Sequence, residues 1–107
     1  MRLACPYLGA EVELTAERER HIAAHHPDLL PAHRPLLSRT LADPDEIRQD
    51  ADYPNTRLFV RRFHEALGGK SVVVATVTGE APGVRHWIVT AFISRRPPKG
   101  DLEWRRP

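Results

Sequence analysis

The spacing of apolar residues changes from helical to alternating along this chain. Thr15 can cap a helix over residues 16–26, and Pro27 ends it because the residue before a proline is pushed out of the α region. Leucines recur at helical spacing in residues 35–41, where a proline is suited to be the first helical residue. The first half of the chain therefore predicts two helices.

The second half of the chain predicts β-strands. Residues 57–63 alternate, residues 71–78 are rich in Val and Thr, and residues 85–93 form the strongest strand candidate. Residues 11–14 and 46–49 are candidates for short strands. Because the connections are short, they favour antiparallel neighbours. We expect an α+β fold in which N-terminal helices pack on one face of a four-stranded antiparallel sheet, leaving the other face open to a ligand.

The last predicted strand has two different faces. One face is entirely apolar and is the better candidate for the core, and it consists of Trp87, Val89, Ala91 and Ile93. The other face would be exposed and consists of His86, Ile88, Thr90 and Phe92. This alternation predicts that His86 and Thr90 point towards the open side of the sheet.

Length and composition predict one domain over residues 1–107, and its tail, residues 94–107, is expected to be irregular. No apolar run approaches the roughly 20 residues that span a membrane, and the N-terminus lacks the apolar region of a secretory signal. The one cysteine, Cys5, fits a reducing compartment. We therefore expect a cytoplasmic protein without a membrane partner.

The net charge of +2 conceals an asymmetry between the two halves. Residues 1–54 hold ten acids against six Lys and Arg, whereas residues 55–107 hold four acids against ten Lys and Arg. Arginine supplies fourteen of the sixteen basic residues, and its planar fork suits bidentate contacts with phosphate. A basic half is typical of proteins with an anionic partner such as RNA, DNA or an acidic protein surface.

Three of the six histidines lie close together in the first predicted helix. His21 and His25 have the i, i+4 spacing that places two imidazoles on one face, as zinc sites require. A catalytic zinc needs a third protein ligand, and no residue stands at a recognisable offset; Ile22 occupies the position of the glutamate in an H-E-x-x-H motif. A zinc site is therefore the weaker hypothesis for this cluster, and we expect no cofactor.

Metal-independent cleavage of RNA is the alternative chemistry. In such a reaction the 2′-hydroxyl of the RNA attacks the phosphate, histidines carry the protons, and cations stabilise the developing charge. The chain holds residues of these types at His21, His26, Lys70, His86 and Thr90, together with Arg61 or Arg62. Lys70 is one of two lysines and directly precedes a predicted strand.

Five segments in order carry a resemblance to a known family. They are V-E-L-T-A-E-R-E-R-H-I-A-A-H-H-P-D-L-L-P (12–31), T-L-A-D-P-D-E-I (40–47), R-L-F-V-R-R-F (57–63), G-K-S-V-V-V (69–74) and H-W-I-V-T-A-F (86–92). Together they resemble small bacterial and phage-associated proteins of the barnase/EndoU/colicin/RelE-like (BECR-fold) ribonuclease superfamily. The resemblance covers about residues 10–93, where it places the core of the domain. The resemblance implies helices on a four-stranded antiparallel sheet, and metal-independent RNA cleavage in active members.

The resemblance also implies roles for individual residues. It implies catalytic roles for His26 and His21 at the helix, for Lys70 and Thr90 in the sheet, and for Arg62, which is preferred over Arg61 as the phosphate contact although the alternation does not settle that choice. Substrate contacts are expected from Arg57, Arg61 and His86.

Three hypotheses follow for the function. The first is an endoribonuclease, such as the toxin of a toxin–antitoxin or phage-related system, with RNA as substrate and an antitoxin protein as partner. The second is a non-catalytic RNA- or protein-binding module on the same fold, which would bind RNA in a salt-sensitive manner without cleaving it. The third is a zinc protein.

Overall fold

The computed structural model describes all residues, 1–107, and contains two α-helices and seven β-strands. The helices are α1 (Ala16–His25) and α2 (Arg34–Ala42). The strands are β1 (Arg2–Cys5), β2 (Ala10–Glu13), β3 (Glu46–Asp50), β4 (Thr56–Phe63), β5 (Lys70–Gly79), β6 (Arg85–Ser94) and β7 (Gly100–Arg105). A 3₁₀ helix, Pro6–Leu8, joins β1 to β2. Neither α-helix is long and apolar enough to cross a membrane.

All seven strands belong to one mixed sheet with the order β1-β2-β6-β5-β4-β3-β7. Five of its six junctions are antiparallel, and β2 pairs with β6 in parallel at the single position Glu13–Trp87. The α+β class is therefore confirmed, but the predicted four-stranded antiparallel sheet is wrong. The predicted order of helices before sheet is wrong as well, because β1 and β2 precede α1.

The outermost strand β7 accounts for part of this correction. It lies within the tail that the sequence predicts to be irregular because of Pro97 and Pro98. The strand pairs with β3 from Asp50–Gly100 to Glu46–Arg105. Gly100 makes this approach possible: its φ is +135°, and a Cβ there would lie 2.1 Å from the carbonyl oxygen of Gln49. An edge strand of this kind depends on its neighbour more than on its own sequence.

The helices cover one face of the sheet, which we call the helix face. Thr15 caps α1 by accepting a hydrogen bond from the backbone N–H of Arg18 at 3.1 Å, as the sequence predicts. Ile22 of α1 and Leu37 of α2 are fully buried against the sheet. They join 16 further buried residues in one hydrophobic cluster, so this face holds most of the core.

A β-bulge in β6 changes which of its residues face the helices. The register with β5 shifts between Ala75 and Thr76, where Val89 is the extra residue. Ala91 lies in the helix-face core as predicted, but on the far side of the bulge Ile88 replaces Trp87 there. His86, predicted to lie on the open side, therefore projects from the helix face, where its ring contacts Thr78.

Candidate functional site

The opposite face of the sheet carries no helix, and we call it the groove face. Its centre is a small apolar cluster of four buried side chains, Leu58, Val60, Val73 and Ala75, against which Phe92 packs. A groove of about 730 Å³ lies over one end of this face, where β4, β5 and β6 line it, with Thr90 and Phe92 in its floor. That volume lies within the range of sites for small molecules, and it is lined by more apolar than polar residues.

Two loops form the walls of the groove, and both are held by side-chain hydrogen bonds. In the loop between β3 and β4, Asp50 accepts hydrogen bonds from the backbone N–H groups of Asp52 and Tyr53. In the loop between β6 and β7, the Ser94 hydroxyl donates to the carbonyl of Arg96 and accepts from its backbone N–H. The groove is therefore formed before any ligand binds. The Tyr53 ring, 68% exposed, stands at its rim.

A second, more polar depression of about 270 Å³ lies at the other end of the same face and has Arg62, Ser71 and Arg95 in its lining. Arg62 lies on the same face as Leu58 and Val60, and its Nε donates to the carbonyl of Gly69 at 2.8 Å. This bond leaves the remaining guanidinium N–H groups of Arg62 free for a ligand. We call this second feature the basic depression.

The charges along the groove face are unequally paired. Lys99 in the groove and Arg62 and Arg95 in the basic depression make no ion pair with a carboxylate. The acids beside them are already engaged: Asp45 accepts from the Arg62 backbone N–H and pairs with Arg106, and Glu46 pairs with Arg48. Because Asp50 is also engaged by backbone N–H groups, Asp52 is the one unengaged acid. The face therefore favours an anionic ligand.

His26 stands at the edge of the groove face. Its ring lies 5.9 Å from the ring of Phe92, centroid to centroid, and Phe92 lines the groove. Its backbone N–H donates to Ile22, and its carbonyl accepts from Leu29 and Leu30, so the residue is fixed at the end of α1. Neither ring nitrogen forms a hydrogen bond within the protein, which leaves both available to a ligand or a proton.

The other two histidines of the cluster turn to each other. The rings of His21 and His25 stack at 4.2 Å, and Nδ1 of His25 bonds to the carbonyl of His21. Partial desolvation, together with the nearby charges of His25 and Arg18, lowers the pKa of His21. No group of three or more His, Cys, Asp and Glu side chains is arranged to hold a metal ion.

Two of the remaining candidates lie on the helix face. Lys70 is five positions along β5 from Ala75, the partner of Thr90, which separates Lys70 and Thr90 by about 17 Å as well as by the sheet itself. Arg61 pairs with Asp43 and lies over the Phe63 ring. The structure thus brings His26, Thr90 and Arg62 to one face but does not bring Lys70, Arg61 or His21 to it.

Arg57 and His86, the other two predicted substrate contacts, meet on the helix face in a chain of hydrogen bonds. Tyr7 Oη donates to Glu103 at 2.7 Å, Arg57 Nε donates to the same carboxylate oxygen at 2.8 Å, and Arg57 also reaches the Thr78 hydroxyl at 3.4 Å. That hydroxyl bonds to Nδ1 of His86 at 2.8 Å. We call these five side chains the relay.

The relay shifts the protonation of its members. Burial and the positive charge of Arg57 lower the pKa of His86, so its imidazole is neutral at pH 7. Burial raises the pKa of Glu103, but hydrogen bonds from Tyr7 and Arg57 outweigh that effect and lower it overall. The relay therefore pairs an ionised carboxylate with a neutral histidine.

Sequence reasoning missed four residues of these sites. Tyr7 and Glu103 join the relay across a separation of 96 residues, and no local pattern signals such a contact. Lys99 and Tyr53 lie in loops that the sequence reads only as polar connections. The one signal in the sequence for Lys99 is that it is one of two lysines in a chain whose other basic residues are arginines.

Comparison with models of known protein families, with characterised proteins and with solved structures finds no match to this chain.

Proposed function

We propose that this protein binds single-stranded RNA along the groove face and cleaves it without a metal ion. The observation that carries the proposal is the joint presence on one face of an apolar groove, unpaired cations and a histidine with both ring nitrogens free. Grooves that combine cations for the backbone with aromatic rings for the bases are typical of single-strand binding.

The dimensions and polarity of the groove support a nucleobase as the bound group. Tyr53 at the rim and Phe92 in the floor offer aromatic surfaces for stacking, and the Thr90 hydroxyl lies in the floor between apolar side chains. Lys99 at one end, with Arg62 and Arg95 in the basic depression, would contact phosphates on either side.

His26 would carry the proton in the cleavage step. It takes the proton of a 2′-hydroxyl, whose oxygen attacks the neighbouring phosphorus while the bond from phosphorus to the 5′-oxygen breaks. The leaving oxygen takes a proton from solvent, and the products are a 2′,3′-cyclic phosphate and a 5′-hydroxyl. One of the two cations, Lys99 or Arg62, would stabilise the extra negative charge on the scissile phosphate in the transition state, and the other would hold a neighbouring phosphate.

A binding module without catalysis is the second candidate, and one observation favours it. His26 is the single histidine at the groove face, since the His21 and His25 rings stack on each other and Lys70 lies on the other face. The groove face therefore has the residue types of a binding surface but only one histidine for acid–base catalysis. Salt-sensitive RNA binding without products would support this candidate.

Cleavage of an end-labelled, single-stranded RNA of mixed sequence in the presence of EDTA tests the proposal. The wild type should yield products ending in a cyclic phosphate, and His26→Ala should lose about 100-fold or more of the rate. His64→Ala, in the exposed turn between β4 and β5, is the matched control and should keep full activity.

The same preparations distinguish binding from catalysis. Lys99→Gln and Arg62→Gln should weaken RNA binding and reduce its dependence on salt by about one charge each. Binding that survives without any cleavage would establish the module and reject the nuclease. A wild type that neither binds nor cleaves RNA, or a His26→Ala variant as active as the wild type, would reject the proposed site.

A further inference from the structure

A second opening in the molecule lies away from the groove, inside the sheet itself. The strands β2 and β6 pair only at Glu13 and Trp87, and a cleft of about 510 Å³ opens beside this contact. Residues 10–11 of β2 form one side, and Val84 with residues 85–86 of β6 forms the other. We call this cleft the fork. It shares no lining residue with the groove or the basic depression.

The charges at the fork are balanced, unlike those of the groove face. Arg2 and Glu11 make no ion pair, and Arg85 pairs with Glu13 at 3.2 Å while its side chain stays 63% exposed. Two cations therefore face two carboxylates across one opening. A polyanion such as RNA would be repelled by the carboxylates, whereas a ligand that carries one charge of each sign finds a partner for both.

His86 supplies a further polar group to the fork, and the relay determines its orientation. Thr78 accepts a hydrogen bond from Arg57, so the hydroxyl proton of Thr78 is available to Nδ1 of His86. In that arrangement Nε2 carries the ring proton and is the nitrogen left for a ligand. His86 then donates a hydrogen bond to a carboxylate without adding a charge of its own.

We propose that the fork binds a small zwitterion with an apolar side chain, either a free amino acid or a dipeptide. Its carboxylate would accept from Arg2, Arg85 and His86, and its ammonium group would donate to Glu11 and Glu13. Leu8, Ala10 and Val84 line the cleft as well and would contact the apolar side chain. This inference does not rest on the proposed nuclease function.

Titration of the ¹⁵N-labelled full-length protein, followed by NMR, tests the inference. The probes are L-leucine and the dipeptide Ala-Leu, and their matched controls are N-acetyl-Ala-Leu and Ala-Leu amide. The free dipeptide should shift the resonances of His86 and its neighbours, and loss of either terminal charge should weaken binding about tenfold or more. Tighter binding of L-leucine would identify a free amino acid as the ligand, and tighter binding of Ala-Leu would identify a dipeptide.

Variants identify the residues involved. Arg2→Gln and Glu11→Gln are both exposed substitutions that should each weaken binding about tenfold, whereas Arg105→Gln on β7 is the control and should not. Bound carboxylate should also raise the pKa of His86, measured from its ring resonances.

Several results would overturn the inference. One is that either blocked dipeptide binds as tightly as the free dipeptide. Another is that the pKa of His86 is the same in the complex as in the free protein. A third is that no resonance shifts at a probe concentration of about 10 mM, which corresponds to very weak binding. Because RNA cleavage is measured separately, failure of the nuclease proposal leaves each of these results interpretable.

Discussion

The two faces of the sheet bury similar side chains in different ways. On β5, Val72 and Val73 are adjacent and both fully buried, yet Val72 packs beneath the helices and Val73 lies in the floor of the groove face. The helix-face cluster has 18 buried residues and the groove-face cluster has four. Burial of a single residue therefore does not reveal whether it belongs to a closed core or to a binding surface.

The covers of the two faces explain the difference. The helix face is covered by α1 and α2, whose apolar residues interlock with the sheet. The groove face is flanked by two loops that are held by Asp50 and Ser94 and that leave an opening between them. A cover of packed helices is stabilised mainly by burial of apolar area, whereas a wall of hydrogen-bonded loops leaves room for a ligand.

The largest effect should come from removing a covering side chain. Leu37→Ala should destabilise the protein by about 3–5 kcal/mol, because it leaves a cavity under α2 in a closed core. Tyr53→Ala at the groove rim should change stability by less than about 0.5 kcal/mol, because the ring is largely exposed. Urea unfolding measures both.

RNA binding sharpens the same contrast. Tyr53→Ala should weaken RNA binding by about 1–3 kcal/mol, the usual contribution of one stacked base. A Tyr53→Ala variant that unfolds as easily as Leu37→Ala would contradict the distinction between the two covers.

A smaller effect should separate the two adjacent valines. Val72→Ala should lower the free energy of unfolding by about 2–3 kcal/mol, because the variant loses two buried methyl groups and leaves a cavity. Val73→Ala should cost about 1–2 kcal/mol, because the groove loops and solvent can fill part of the space. Denaturant midpoints of the pair measure the difference. Equal costs would show that the groove face is as tightly closed as the helix face.

The smallest effect concerns pH and the relay on the helix face. The pKa of His86 is lowered in the folded protein, so below its ordinary value of 6.5 the unfolded chain binds the proton more readily. Stability should therefore fall as the pH drops from about 6.5 through the folded pKa of His86.

Urea midpoints at several values between pH 5 and pH 7.5 measure this loss. His86→Gln should reduce it but not abolish it, because His21 has a lowered pKa as well and contributes in the same direction. An unchanged pH dependence in His86→Gln would contradict the lowered pKa of His86 in the folded protein.

Local signals in the sequence were sufficient for the elements that depend on neighbouring residues. The Thr15 cap and Pro27 bound α1 to within one residue of the prediction, and the alternation over residues 57–63 identifies β4. Helix caps and strand alternation act over a few residues, so they can be read from a single chain.

Long-range pairing determined what the local signals missed. The bulge at Val89 moves His86 to the helix face. No residue type near Val89 predicts a bulge there. β7 exists as a strand because β3 offers it an edge, and Lys99 reaches the groove because β7 returns the chain to the sheet.

Caps, prolines and hydrophobic period are local signals, so the amino-acid sequence is enough to predict the α+β class, the two helices and the main strands. It also offers His26, Thr90 and Arg62 as candidates for the proposed RNA chemistry. Which of these residues share a face follows from the tertiary structure alone. Side chains far apart in sequence meet through strand order and register, and each is a property of the whole sheet rather than of any segment.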